Sequence, residues 1–286
     1  MDIELPIGSL VAMGLVLTFG CLGWIWIFSA TQKHQRKLRE GMAWLDWRPL
    51  PLGMVFFFFS SIALGLLLQV VGFMVFGRFA GVEQLANLHP LVQLLVSTLS
   101  MHVLIAAVFL WMTRNQSIPL DEVPALRHKH WWLKFPQGLA GYLLAFPVVI
   151  LGAMLTQAVF PRFGVDLEPQ ILVQSLGRFE SLPQRITLFF FAVLLVPFCE
   201  ELIFRGYLFP WISQRTGFWG GLVLHSLLFA WVHMNVASFL PLFAFSCVLG
   251  ISYVYTKSLL TAFWMHAIFN AVTLVNFFLS RGTPFS

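Results

Sequence analysis

The chain has 286 residues, 59% of them hydrophobic and 10% charged, with a formal net charge of +5. Average usage is about 25% charged and mean hydropathy here is +0.83, so a soluble protein with a large core is excluded. The basic residues cluster beside apolar runs, which reads as membrane-orienting charge and excludes a nucleic-acid surface.

Apolar runs recur along the whole length, each long enough to cross about 30 Å of hydrocarbon as a helix. They predict an all-α polytopic membrane protein of eight spans, at 5–29, 52–76, 91–112, 137–159, 186–210, 219–238, 239–256 and 258–280. The first run lacks a basic leading segment and a small-residue cleavage site, so it reads as a retained span and not a signal peptide. Trp44, Trp47, Trp131 and Trp132 flank spans as an interfacial aromatic belt does. With the amino terminus outside, the inside loops carry eleven basic residues and the outside segments five, which predicts both termini facing away from the cytoplasm. The long loop 160–185 carries Pro161, Gly164, Pro169 and Pro183, with a short interfacial helix expected over 171–182. A weak polar interruption at 234–238 separates the sixth and seventh spans, and Pro241 opens the next run. Cys21, Cys199 and Cys247 all fall in spans and form no disulfide framework or CxxC site. The chain divides into residues 1–184, four spans and their loops without a usable motif, and residues 185–280, which carry the chemistry.

Three polar clusters lie on the last four spans: Glu200, Glu201 and Arg205; Phe229 and His233; His266 and Asn270. A carboxylate at membrane depth costs about 2.5–3.5 kcal/mol even on the lower scales. Glu201 and Arg205, four apart, lie about 40° apart around a helix and can pair, whereas Glu200 and Arg205 diverge by about 140°. The expected division of labour makes Glu201 and Arg205 structural. It leaves Glu200 in a low-dielectric pocket that suits a general base or acid. Counted from the inside ends of their helices, Glu200, His233, His266 and Asn270 lie about 15, 21, 12 and 18 Å deep. All four fall near the midplane, where three helices can present them to one membrane-buried cavity. His266 and Asn270, four apart, share a face and suit oxyanion binding; His233 can share a proton or water with Glu200. The bland readings are a structural clamp for the ion pair, helix bridging for a lone histidine or asparagine, and packing for His225 and Phe229. Glu200, His233 and His266 also have the ligand types of a hydrolytic zinc site. HExxH is absent, however, and if Glu200 bound zinc the base would have to be Glu201, the better partner for Arg205. A metal-free glutamate-activated water is therefore favoured, with zinc on those three residues as the alternative.

The ordered triplet EExxxR (Glu200, Glu201, Arg205), FxxxH (Phe229, His233) and HxxxN (His266, Asn270) resembles the CPBP intramembrane proteases. That family is also called the CAAX protease and bacteriocin-processing family, or Abi group, and includes the Ras-converting CAAX endopeptidases. The resemblance covers about 185–278. It implies a helical fold with a membrane-buried cavity and endopeptidase activity, described in the family both as metalloprotease and as glutamate protease. On the matching positions, Glu200 would activate water with help from His233. His266 and Asn270 would stabilise the oxyanion, and Glu201 and Arg205 would support the site. The expected partners are the lipid bilayer and a peptide or protein substrate, lipid-modified for CAAX processing; leader-peptide processing is the other family activity. Two rival classes remain. A proton-coupled transporter would favour inverted repeats, whereas the polar residues here sit in the second half. A non-proteolytic scaffold or immunity protein would keep the cavity without catalysis.

Overall fold

The computed structural model describes residues 131–280, apart from 169, 171, 172, 174, 175 and 180. The spans expected at 5–29, 52–76 and 91–112, the retained first span, Trp44, Trp47 and the placement of both termini lie outside the described residues. So do residues 171, 172, 174, 175 and 180 of the interfacial helix expected over 171–182, within which Leu176–Arg178 forms a single 3-10 turn. All regular structure among the described residues is helical.

Four helices there are long and apolar enough to cross a membrane. Helix α1 is Lys134–Val159, extended by a 3-10 turn that stops at Gly164 in the left-handed region. Helix α2 is the run Leu182–Val232, α3 is Val236–Thr256 and α4 is Leu259–Ser280. Local chemistry sets the starts and stops. Ser181 and Gln184 form a capping box at the start of α2, with Pro183 in its first turn. The Asn235 side chain caps α3 by accepting from Ser238 N at 2.9 Å, and Lys257 ends α3 in the left-handed region.

Helix α2 has 51 residues and would be about 76 Å long if straight, more than twice the hydrocarbon thickness. It is not straight. Gly217, at φ 75° and ψ 174°, breaks it in a conformation open essentially to glycine alone. The two arms fold back on each other in a regular register. Gly221 lies so close to Ser213 that an added Cβ would come within 2.8 Å of its Cα. Phe209 stacks on His225 at 4.5 Å, and the Arg205 guanidinium lies 4.7 Å from the Phe229 ring centroid. In each pair the partners are equidistant from Gly217 along the chain, and successive pairs step by four residues, one helical turn. The fifth and sixth expected spans are thus the two arms of α2.

The boundary at the far end differs from the expectation. The sixth span was expected to run to 238 and the seventh to begin at 239; instead the second arm ends at Val232 and α3 begins at Val236. The reason is local: Asn235 offers its side chain as a cap, and Met234 takes a positive φ of 47° that no helix continues through. His233 is therefore the C-terminal cap of an arm and not a residue inside a span. Pro241 lies inside α3 instead of opening it.

Small residues let the helices close in, as in lipid where close packing replaces the hydrophobic drive. Helix α1 packs against α3 and α4. A Cβ on Gly138 would meet Trp264 Cβ at 2.6 Å, and one on Gly152 would meet the Leu240 carbonyl at 3.1 Å. Gly250 of α3 gives the same close approach to Leu222 and His225 of the second arm.

Because Gly217 holds a conformation that costs a residue with a Cβ about 1–3 kcal/mol, Gly217→Ala is expected to lower stability by that amount. Thermal unfolding in detergent checks this. An unchanged melting temperature would mean that the arms do not turn there.

Candidate functional site

The site is built where the first arm of α2 is least regular. Two π-helical turns, Phe190–Leu195 and Phe204–Leu208, bracket the short α-segment Val196–Ile203 that carries both glutamates. Each π-turn inserts a residue and re-aims the side chains after it, a device frequent at functional sites. From Glu201 to Pro210 every residue is buried.

Glu201 and Arg205 pair as the spacing predicts. Arg205 Nη1 donates to Glu201 Oε1 at 2.9 Å, and both side chains are 0% exposed. Arg205 Nη2 also donates to the Ser246 hydroxyl at 2.7 Å and to the Ser246 carbonyl at 3.2 Å, which ties α2 to α3. Its guanidinium lies over the Phe229 ring, so one cation holds the first arm, the second arm and α3.

His266 of α4 joins what the angular reading had separated. Its Nδ1 donates to Glu201 Oε1 at 2.8 Å, while its Nε2 stands 3.6 Å from Glu200 Oε2. The second distance is too long for a hydrogen bond and is a charge contact. Glu200 therefore has His266 beside it, and that histidine is held by Glu201. Glu200 keeps 14% exposure where Glu201 has none, so it is the carboxylate that can meet another molecule. The His266 ring stands edge-on to two buried phenylalanines, Phe229 and Phe245, at 5.8 and 5.7 Å. With Nδ1 given to Glu201, the reactive edge of His266 is Nε2.

His233 has its Nδ1 2.7 Å from the Phe229 carbonyl. A carbonyl only accepts, so Nδ1 carries the hydrogen and Nε2 of the neutral ring holds a lone pair. In the hairpin register the row Ser213–Gly221, Phe209–His225, Arg205–Phe229 continues to Glu201 and His233, both sixteen residues from Gly217. His233 lies one helical turn beyond Phe229, whose ring it meets at 4.9 Å. A clasp lies beside it: Asn235 Nδ2 donates to the Glu168 carbonyl at 2.8 Å, and Gln170 Nε2 to the Ser238 hydroxyl at 2.9 Å.

Asn270 donates from Nδ2 to the Ala192 carbonyl at 2.8 Å, inside the first π-turn. It spends one N–H there and has a second to offer. His225 follows the bland reading: it is fully buried, stacked on Phe209 and bonded to the Gly221 carbonyl at 3.0 Å. Cys199 is buried as well.

Glu200 and His266 approach each other, but among the described residues no three His, Cys, Asp or Glu side chains gather closely enough to hold a metal ion.

Sequence reasoning missed Ser246, Phe245 and the Ala192 carbonyl. Ser246 left a faint signal as a lone hydroxyl in an apolar helix; a backbone carbonyl leaves none.

Residues 182–272 match the family model described as Rce1-like, Type II CAAX prenyl endopeptidase Rce1-like. The matched segment is roughly a third of the chain. It holds all the residues of the three motifs, and the match is to the family those motifs resemble. No curated protein and no solved structure matches the chain.

Removing one partner from a buried ion pair strands the other and costs about 3–5 kcal/mol. Glu201→Ala is expected to lose that much stability and Glu200→Gln far less. Denaturant or thermal unfolding of both variants in detergent checks this, and equal stability would refute the pairing.

Proposed function

We propose that the protein is an intramembrane endopeptidase that hydrolyses a peptide bond with a water activated by Glu200. One observation carries this reading. In a segment matching a CAAX prenyl endopeptidase family, the one partly exposed carboxylate faces Nε2 of a histidine locked by a second carboxylate. The substrate class is a peptide or protein, with a prenylated CAAX substrate the form that the family's description points to.

In this mechanism the Glu200 carboxylate takes a proton from water, and the hydroxide adds to the scissile carbonyl carbon. His233, with its hydrogen given to Phe229, has Nε2 to accept from the same water and orient it. The tetrahedral oxyanion needs donors. Asn270 supplies its second N–H, and His266 supplies Nε2–H as the imidazolium, paired with the Glu201 carboxylate. The carbon–nitrogen bond then breaks, and protonated Glu200 returns its proton to the leaving amine. The products are a carboxylic acid and an amine, with one water consumed and no acyl-enzyme formed. Glu201, Arg205 and Ser246 touch no substrate; they hold the His266 ring where its outer nitrogen serves.

The decisive experiment offers purified protein a peptide library that includes prenylated CAAX peptides, with and without a chelator. Wild type is expected to cleave and Glu200→Gln to lose at least about a thousandfold in kcat while keeping its melting temperature. Retained cleavage by Glu200→Gln would remove Glu200 as the base. Loss of wild-type cleavage on chelation, restored by zinc, would replace the metal-free mechanism.

A further inference from the structure

Phe229 occupies a position that the hydrolytic chemistry does not use. It is fully buried on the second arm of α2. The Arg205 guanidinium carbon lies 4.7 Å from its ring centroid. The His266 ring meets it at 5.8 Å and 69°, and the His233 ring at 4.9 Å. Its own carbonyl takes the His233 Nδ1 hydrogen at 2.7 Å. Phe204 closes the remaining side with an edge contact at 5.0 Å.

These contacts divide into two branches. In the first, an aromatic ring offers its negative face to a cation. Arg205 has used Nη1 on Glu201 and Nη2 on Ser246, and its Nε has no hydrogen-bond partner among the described residues. The ring face is thus a further partner for the guanidinium, beside Glu201 and Ser246. Arg205 holds Glu201 Oε1, the same oxygen holds His266 Nδ1, and His266 Nε2 stands beside Glu200. In the second branch the backbone carbonyl fixes which nitrogen of His233 carries hydrogen. Phe229 stands at the head of both.

We propose that Phe229 is a positioning residue for the reaction: its ring holds Arg205, and through Glu201 sets His266 against Glu200, while its carbonyl sets the tautomer of His233. This rests on the endopeptidase reading and adds to it a residue that touches no reacting atom. The phenylalanine of the FxxxH motif is then required for its charge distribution as well as its volume. The groups that sense it are Glu200, Glu201 and Arg205 on the first arm, His233 on the second and His266 on α4. On α3, Ser246 holds the same Arg205 and Phe245 meets the same His266 ring.

The test uses the full-length protein in detergent with a cleaved peptide. It compares wild type, Glu200→Gln, Phe229→Leu, and mono-, di- and trifluorinated phenylalanine at position 229. Fluorination drains the ring face of negative charge at nearly constant shape. The fluorinated series is expected to lower kcat stepwise with KM unchanged and the protein still fully folded at the assay temperature, and Phe229→Leu to lower kcat by roughly ten- to a hundredfold. Ring-nitrogen NMR of the histidines should show the His266 signals moving with fluorination. His233 should keep its Nδ1 hydrogen throughout, because every variant retains the carbonyl. A flat kcat across the fluorinated series, or wild-type kcat for Phe229→Leu, overturns the proposal while Glu200→Gln inactivity leaves the endopeptidase reading standing. Should Phe229→Leu not fold, the fluorinated series decides. Should wild type cleave nothing, the endopeptidase reading fails separately, and His266 signals indifferent to fluorination overturn the positioning role on their own.

Discussion

A fully buried arginine sets the terms for this part of the molecule. Arg205 lies at membrane depth with no exposure, where an uncompensated charge is costly. Its compensation is gathered from three helical pieces: Glu201 one turn earlier, Ser246 of α3, and the face of Phe229 on the returning arm. Removing Glu201 would strand the charge, and Ser246 and Phe229 add the contacts that hold the three pieces in one relative placement. His266 of α4 then attaches to the same carboxylate oxygen that the arginine holds. Four segments are joined through one ion pair, and Glu200 stands at its open edge.

The hairpin at Gly217 is what makes such convergence possible. A straight helix would put Arg205 and Phe229 about 36 Å apart. Folding back at a glycine-only conformation returns the chain in register, four residues at a time, with Gly221 allowing the close approach beside the turn. Glycines in α1 and α3 do the same work between helices, because a lipid-embedded bundle is held by close contact and internal polar bonds. The two π-turns complete the arrangement. The carbonyl of Ala192 in the first is taken by Asn270, which pins α4 to α2 a second time, well before the glutamates that His266 meets.

Much of the site was legible because charge is so rare in an apolar chain. Glu200, Glu201 and Arg205 announce themselves by cost, and the four-residue spacing of Glu201 and Arg205 is enough to pair them. Depth counting put His266 level with the glutamates, and it touches both. The hairpin register was also written in the sequence, as the equal spacing of Arg205 and Phe229 about Gly217, though such symmetry has meaning only once the turn is known. Helix ends were read less well. Met234 and Asn235 stop the second arm and start α3 through a positive φ and a side-chain cap, local choices that hydropathy does not register.

The sequence by itself determined that these segments are apolar helices, that three of them carry polar groups at matched depth, and that Glu201 rather than Glu200 binds the arginine. These follow from composition and helical period, which depend on near neighbours alone. Only the tertiary structure decided which nitrogen of His266 faces which glutamate, that Ser246 and Phe229 share the arginine, and that His233 caps an arm with its hydrogen given to a carbonyl. Those are choices among partners distant in the chain. They are set by how four helical segments satisfy one buried cation, and no local pattern encodes that.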